Sequence, residues 1–311
     1  MRVIRWGKQG GKQRFKCKDC GILFTNNSPE RRLANCFIWF KRWVLHKDTF
    51  DVLAEESGYS KSKLQRIFRA YLSSPPTFVI QQKLRLYLII DGTYFTEGLC
   101  LILYYDSKLK YSLLYRFSSN EFYREIKEDL ENLRKLGIDI AAVTCDGKKA
   151  ILKAVEKVYP AATIQRCRVH VQRMVRLWLT RRPRLQASKE LRYLIGLLHH
   201  IRGIVEQHMW IIAFEQWYKR HQPLIEEKVL HKATGRWWYK HRQLRGSAIM
   251  VKKALANMFH FIGDKDIPKS TNALDSYFGH LKLNLNVHRG LSKQHRQAFI
   301  LWYLHLKSRG L

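Results

Sequence analysis

The apolar stretch 84-LRLYLIIDGTYF-95 decides the fold, and its unbroken run of apolar residues stops at Asp91. Two more strand-like runs, 98-GLCLILYYDS-107 and 110-KYSLLYRFS-118, follow it after short turns. Consecutive runs of this kind, bounded by turn residues, predict three strands in an antiparallel meander. This region of the chain therefore begins with a small sheet of consecutive strands.

Helices and strands alternate after the meander. We predict a helix, a buried strand, a second helix and a second strand over residues 119–136, 138–146, 148–160 and 162–167. The order β-β-β-α-β-α-β is that of an RNase H-like core, in which the first and fourth strands are neighbours, so Asp91 and Asp146 would come together. A Rossmann-type nucleotide-binding fold is disfavoured, because no GxGxxG follows a strand and the three leading strands lack crossover helices.

The predicted fold class is α+β, with an RNase H-like core that is interrupted by an all-helical insertion. A helix-turn-helix and a partial zinc-ribbon-like segment precede the core. The predicted order is the ribbon-like basic segment, the helix-turn-helix domain, the first part of the core, the helical insertion, and a C-terminal core helix with a basic tail, over residues 1–25, 29–72, 84–170, 171–265 and 266–311.

The second of these segments has the layout of a helix-turn-helix. Gly58 allows the turn, and Ser60 is a suitable N-cap for the second helix. The leading end of that helix would present four polar side chains to bases and phosphates, as a recognition helix does: Lys61, Lys63, Gln65 and Arg66. A helical hairpin without DNA contacts is the alternative.

The first segment resembles the second half of a small zinc ribbon, with Cys17 and Cys20 in a C-x-x-C knuckle. A tetrahedral zinc site needs four ligands, and no second C-x-x-C stands nearby. The pair is therefore either part of a Zn²⁺ site or two surface thiols on a basic arm. The missing first pair suggests a truncated start.

The charge of the chain favours a polyanionic partner. There are 57 Lys and Arg against 25 Asp and Glu, a formal net charge of +32. Cations without any acid occupy three separate zones, residues 1–16, 165–185 and 276–311. Together the zones predict an extended path for double-stranded DNA, whereas any one of them alone would serve as a solvated face.

Composition also limits the compartment. The six cysteines stand at irregular positions, which indicates reduced thiols in a cytoplasm and not a disulfide framework. No apolar run approaches the roughly 18–20 residues that cross a bilayer, and no apolar segment follows the basic N-terminus as in a secretory signal. We therefore expect no membrane partner.

Three carboxylates stand where metal-dependent phosphoryl transfer needs them. Asp91 and Asp146 lie at predicted strand ends, and Asp275 lies in the helix-like 270-STNALDSYFGHLK-282. Two Mg²⁺ (or Mn²⁺) ions, about 3.5–4 Å apart, are held by such hard oxygen ligands. Asp91 would bridge the ions, Asp146 would hold one and Asp275 the other. Each acid alone could instead be a turn residue, an N-cap or a helix-start charge.

A basic and aromatic set accompanies these acids. Arginines in and after 165-QRCRVHVQR-173 would bind phosphates: Arg166, Arg168, Arg173 and Arg176. Trp237 and Trp238 either stack on an unpaired base or pack inside the insertion. Cys167 and His170 form a C-x-x-H pair, which we interpret as structural, packing the insertion on the core, with zinc binding as the alternative.

Four segments resemble Mutator-like bacterial insertion-sequence transposases with an acidic triad: DGTYF, the CDG of TCDGKKA, CRVH, and STNALDSYFGHLK followed by HRGLSKQHRQAFILWYLHLK. The resemblance covers essentially the whole chain. It implies that Asp91, Asp146 and Asp275 are the catalytic triad, with Cys167 and His170 as the family's extra pair. The family's third acid is usually Glu, and Asp275 is one methylene shorter, which predicts a weakened or inactive enzyme.

The resemblance implies a metal-dependent DNA transposase that binds terminal inverted repeats, cleaves phosphodiester bonds and transfers the 3′ end to target DNA. Its partners would be transposon ends, target DNA and a second copy in a homodimer, in a bacterial cytoplasm and associated with the nucleoid. A decayed transposase that only binds DNA is the main alternative. A nuclease without strand transfer is the third, although it leaves the helix-turn-helix without a role.

Overall fold

A computed structural model describes residues 2–25, 29–77, 85–230, 232 and 234–308, with the backbone alone for residues 29–35. The chain divides into two compact units. The terminal unit consists of Met1–Phe78 and Gly279–Leu311, and the central unit consists of Val79–Phe278.

Strands and helices are numbered in chain order over the described residues. The strands are β1 (Val3–Gln9), β2 (Lys12–Cys17), β3 (Leu23–Thr25), β4 (Leu86–Tyr94), β5 (Cys100–Asp106), β6 (Tyr111–Ser118), β7 (Ile140–Cys145), β8 (Thr163–Arg166), β9 (Lys228–Leu230) and β10 (Trp237–Tyr239). The α-helices are α1 (Pro29–Leu45), α2 (Phe50–Ser57), α3 (Lys61–Ser73), α4 (Tyr123–Lys135), α5 (Lys149–Val158), α6 (Arg168–Trp178), α7 (Gln186–Leu197), α8 (Ile204–Ile225), α9 (Arg242–Ala254), α10 (Asn272–Val287) and α11 (Lys293–Ser308).

A five-stranded sheet in the order β6-β5-β4-β7-β8 lies at the centre of the central unit. β4 pairs antiparallel with β5 and parallel with β7, so the first and fourth strands of this region are neighbours, as predicted. Every residue of β5 is buried, from Cys100 to Asp106, which agrees with the apolar run that predicted this strand. Apolar residues of α4 and α5, such as Leu130 and Val155, share one core with the sheet.

The second half of the central unit is mostly helical. Helices α6 to α9 enclose a separate apolar core that includes Val171, Leu191, Phe214 and Val251. This part differs from the predicted all-helical insertion, because β9 and β10 pair antiparallel within it. The aromatic run of Trp237–Tyr239 suits a pleated, half-exposed strand. The helical structure that we predicted for this stretch begins only with α9.

In the terminal unit, α1, α2, α3 and α11 surround a cluster of aromatic rings. Phe40 lies 5.4 Å from Phe68 and 5.2 Å from Trp302 between ring centroids. The predicted turn between α2 and α3 is present: Gly58 has φ of 68°, and the Ser60 hydroxyl accepts a hydrogen bond from the Lys63 backbone N–H at 3.4 Å. A left-handed residue here favours glycine, and the cap satisfies a free helix donor.

The ribbon-like segment forms a three-stranded antiparallel sheet, β1-β2-β3. Cys17 is buried at the end of β2, while Cys20 is exposed in the following turn. Neither cysteine belongs to a group of three or more metal-ligating side chains among the described residues. A zinc site here therefore remains a prediction, for which this segment provides two thiol ligands.

The buried His288 makes the terminal unit sensitive to acid. Its Nε2 donates to the Trp43 carbonyl at 2.9 Å, and burial lowers its pKa from 6.5 to about 4. Between about pH 6.5 and pH 4, His288 is therefore protonated in the unfolded chain and neutral in the folded unit. Stability falls as the pH drops through this window, by about 3 kcal/mol in total.

His288→Gln keeps a side-chain donor and removes this titration. We expect the stability of the wild type to fall by about 3 kcal/mol more than that of the variant between pH 7 and pH 4. Denaturant unfolding at a series of pH values measures the difference. Parallel curves for the two proteins would contradict the assignment.

Candidate metal centre

Asp91 and Asp146 meet because two parallel strands are neighbours. Ile90 of β4 pairs with Cys145 of β7, so the residues that follow them lie side by side. Asp91 is buried, and its Oδ1 accepts a hydrogen bond from the Gly92 N–H at 2.9 Å. Asp146 follows the end of β7, and its Oδ1 accepts from the Lys148 N–H at 2.9 Å.

Asp275 comes from the first turn of α10. Its backbone N–H donates to the Thr271 carbonyl at 3.0 Å, and the buried neighbours Leu274 and Phe278 fix the helix in place. An oxygen of its carboxylate lies within 4.8 Å of ligand atoms of Asp91 and His170. The structure therefore brings all three predicted acids to one region.

A fourth acid, Glu121, joins this region and was not predicted. It stands between β6 and α4, it is buried, and its carboxylate lies within 4.8 Å of those of Asp91 and Asp146. In the sequence it lies at the start of the helix predicted over residues 119–136, whose many acids indicate a solvated acidic face. Its place at the start of that helix, following the third strand of the meander, is the only signal that sets it apart.

The ligands form two overlapping groups among the described residues. One group is Asp91, His170 and Asp275, and the other is Asp91, Glu121 and Asp146. Asp91 belongs to both, as a bridging ligand would. Carboxylate oxygens suit Mg²⁺ and Mn²⁺, so the residues present fit the ions that the sequence implies.

Burial and mutual repulsion dominate the electrostatics of the centre. Burial, with a contribution from the neighbouring Asp146, raises the pKa of Asp91 from 3.8 to about 6. Burial also raises the pKa of Asp146. Burial therefore disfavours the ionised form of both carboxylates. A bound cation would favour that ionised form.

Asp91 lies in mid-strand and not at the strand end that the sequence predicted, and it is followed by a glycine for a steric reason, as Asp146 is. A Cβ on Gly92 would lie 2.6 Å from Cδ of Glu121. Gly147 has φ of +88°, and a Cβ there would lie 2.3 Å from Nε of Arg166. Gly92 therefore leaves space for the carboxylate of Glu121, and Gly147 leaves space for the guanidinium of Arg166.

Cys167 and His170 both contact the residue that precedes α10. The Thr271 N–H donates to the buried Cys167 Sγ at 3.3 Å, and the Thr271 hydroxyl lies 3.2 Å from His170 Nδ1. The hydrogen bond with Cys167 is the main cause of the raised pKa of His170. The pair thus ties the start of α6 to the segment that carries Asp275, while His170 also borders the acids.

The predicted recognition residues of α3 are mostly accessible. Lys61, Gln65 and Arg66 are exposed, and Lys61 forms an ion pair with Asp51. The Lys63 ammonium lies 3.6 Å from the centroid of the Tyr59 ring. A groove of about 680 Å³ in the terminal unit is lined by residues that include the cations Lys61, Arg69 and Arg289, together with His295.

The arginines of the C-x-x-H segment divide between surface and core. Arg173 and Arg176 are exposed, and Arg166 is half-buried beside Gly147. The prediction that Arg168 binds a phosphate is wrong. This residue is buried, and its Nη1 donates to the carbonyls of Leu198 at 2.8 Å and Ile201 at 3.1 Å, so its guanidinium is used inside the protein.

The two tryptophans of β10 are on the surface. Trp237 is 66% exposed and Trp238 is 45% exposed. Packing inside the insertion, the alternative that the sequence left open, therefore describes neither of them. The stacking role stays a prediction.

Comparison with known protein families agrees with the sequence motifs. Residues 113–232 match the family described as Transposase, Mutator family. This match supports the resemblance to Mutator-like transposases noted from the motifs. The matched residues include Asp146, Cys167 and His170 and stop short of Asp91 and Asp275.

One further comparison and one observation on the helices complete the description. A search of curated proteins gave no match. Among the described residues, no helix has the length and apolar character needed to cross a membrane.

The raised pKa of Asp91 predicts that this residue destabilises the metal-free protein. Between pH 4 and pH 6 the folded state holds a proton on Asp91 that the unfolded state releases, so stability is lost as the pH rises. In the presence of a chelator, Asp91→Asn should stabilise the protein at pH 7.5 by up to about 3 kcal/mol. Thermal or denaturant unfolding measures the gain.

The control for this prediction is Asp139→Asn, which removes an exposed acid of the central unit. We expect little change from the control and a gain for Asp91→Asn that disappears at pH 4. A loss of stability in Asp91→Asn at pH 7.5 would show that burial of the charged Asp91 carboxylate is not what raises its pKa.

Proposed function

We propose that the protein is a DNA transposase that binds the terminal inverted repeats of its element, cleaves phosphodiester bonds there and transfers the freed 3′ end to target DNA. The observation that carries this proposal is the sharing of Asp91 by two ligand groups, one with Asp146 and one with Asp275. Two metal ions with a common carboxylate are the arrangement that in-line displacement at phosphorus uses.

Mg²⁺ or Mn²⁺ would be held by Asp91, Asp146 and Asp275. When bound, the ions would activate an oxygen nucleophile and neutralise charge on the phosphate. The chain itself fixes the ligands in place on a central strand, a strand end and a helix start. Arg173 is exposed, and its Nη2 lies 3.3 Å from Oδ2 of Asp275. Its guanidinium would contact a phosphate beside the carboxylates.

The strand order of the central unit supports an RNase H-like core, since the neighbouring β4 and β7 supply the first two acids. The α2–α3 pair supports a helix-turn-helix, because the turn and cap have the expected geometry and the cations of α3 are accessible. Phosphate contacts from Arg166, Arg173 and Arg176 would extend the DNA path into the helical insertion. Joining two transposon ends requires two protein copies, so a homodimer on DNA in the cytoplasm belongs to the proposal.

A catalytically decayed DNA-binding protein is the second candidate. The observation that favours it is the ion pair between Asp275 and Arg173, which engages the shorter third acid. The reach of Asp275 to within 4.8 Å of a ligand atom of Asp91 favours an active enzyme. We therefore give preference to the transposase.

The metal centre is tested by cleavage of repeat-end DNA. Asp91→Asn or Asp146→Asn should abolish Mg²⁺-dependent cleavage, because each removes a charged ligand, while DNA affinity stays close to that of the wild type. Asp139→Asn is the matched control and should cleave normally. Undiminished cleavage by either site variant would refute the assignment.

The third acid separates the enzyme from its decayed alternative. Because Asp275 already reaches the other ligands, Asp275→Glu should displace its carboxylate by about one C–C bond and reduce cleavage by about 100-fold. Cleavage assays with Mg²⁺ and Mn²⁺ on both proteins measure the effect. A rise in cleavage would indicate a decayed site, and the absence of cleavage by both would favour the DNA-binding protein.

A further inference from the structure

We propose that Glu121 is a fourth carboxylate ligand of this metal centre, and that the Lys148 ammonium takes the place of a cation beside it until a divalent ion displaces it. The inference rests on the proposed metal centre, and it adds a ligand that lies outside the predicted triad. Three observations on the central unit carry it: the burial of Glu121, the glycine beside it and the position of Lys148.

Glu121 is a buried carboxylate with an unsatisfied oxygen. Its side chain has no exposed surface. Oε2 lies 3.0 Å from the Tyr94 hydroxyl oxygen and pairs with Lys148. Oε1 is buried and has no hydrogen-bond partner among the described residues. An ionised oxygen without a partner is costly away from water, so the position is suited to a ligand that supplies positive charge.

Two other acids are neighbours of Glu121. Its carboxylate, that of Asp91 and that of Asp146 all lie within 4.8 Å of one another. Carboxylates that share one small region repel each other unless a cation stands among them. Lys148, whose ammonium contacts Glu121, leaves the Oε1 atom of that carboxylate without a partner among the described residues. A divalent cation with oxygen ligands satisfies this charge and the unpaired Oε1 together.

The backbone is arranged to hold Glu121 against the strand of Asp91. Gly92 leaves the space that Cδ of Glu121 occupies, because a Cβ there would lie only 2.6 Å away. Asn120 fixes the loop, since its Oδ1 accepts from the Glu121 N–H at 2.8 Å and from the Tyr94 hydroxyl at 2.6 Å. A carboxylate whose position is fixed in this way is what metal coordination requires.

Lys148 can leave the position that it holds. Its Nζ contacts Glu121 and lies 3.7 Å from Oδ2 of Asp146, while its side chain is 42% exposed. The flexible stem of a lysine lets such an ammonium move to solvent or to a phosphate. The same lysine that neutralises Glu121 would then compete with a divalent ion for it.

The test is calorimetric titration of Mn²⁺ into the full chain in the absence of DNA, so the readout does not depend on cleavage. Glu121→Gln should weaken Mn²⁺ binding by about 10–100-fold. Lys148→Gln should tighten it, by up to about fivefold, because a competing cation is removed. The control is Glu128→Gln, which removes an exposed acid of α4 and should bind Mn²⁺ as the wild type does.

Asp91→Asn serves as the reference for the centre itself. If it weakens Mn²⁺ binding while Glu121→Gln does not, the inference fails and the proposed function stands. If neither variant changes the affinity, or the wild type binds no Mn²⁺, both fail. Weaker binding by Lys148→Gln would overturn the role assigned to that ammonium.

Folding of each variant is checked by circular dichroism in a chelator. If Glu121→Gln does not fold, Glu121→Asp replaces it, because that variant keeps the charge and shortens the reach. It should also weaken Mn²⁺ binding, and affinity equal to that of the wild type would overturn the inference.

Discussion

The parallel pairing of β4 with β7 is the constraint on which the candidate site depends. The register that places Ile90 beside Cys145 also places the two residues after them side by side, one buried in mid-strand and the other at a strand end. Because a slip of one residue would turn every side chain to the opposite face of the sheet, the apolar residues that favour this register also determine which acids meet. The register that packs the sheet is therefore also the register that brings Asp91 and Asp146 together.

The site opposes the stability of the fold that builds it. Burial raises the pKa of Asp91 and Asp146, and Glu121 adds a buried carboxylate with one unpartnered oxygen. Such groups persist only where the surrounding structure leaves them no alternative. Here that structure is the fully buried β5 on one side of β4 and the apolar core formed with α4 and α5. This arrangement is typical of a centre that gains stability when a cation binds.

The strand order and the meeting of Asp91 with Asp146 could be predicted, because both follow from the local runs and from the β-β-β-α-β-α-β order of the elements. Glu121 could not, since its burial results from contact with Gly92, which is distant in sequence, whereas its local context is that of a solvated acidic helix. Arg168 was misjudged for the converse reason: a run of arginines indicates a charged surface, but the helix turns this one toward two backbone carbonyls. The β9–β10 pair was hidden by helix-like patterning around an aromatic run.

The discontinuity of the terminal unit has a consequence for how the protein emerges from the ribosome. Phe68 and Phe299 belong to one unit, yet the 200 residues of Val79–Phe278 are synthesised between its two parts. At 5–20 residues per second this interval lasts roughly 10–40 s. During that time the aromatic faces of α1 and α3 lack α11, and the groove beside α3 lacks Arg289 and His295. A nascent chain would therefore gain the complete groove beside α3 only after the central unit, with its carboxylates, had been translated.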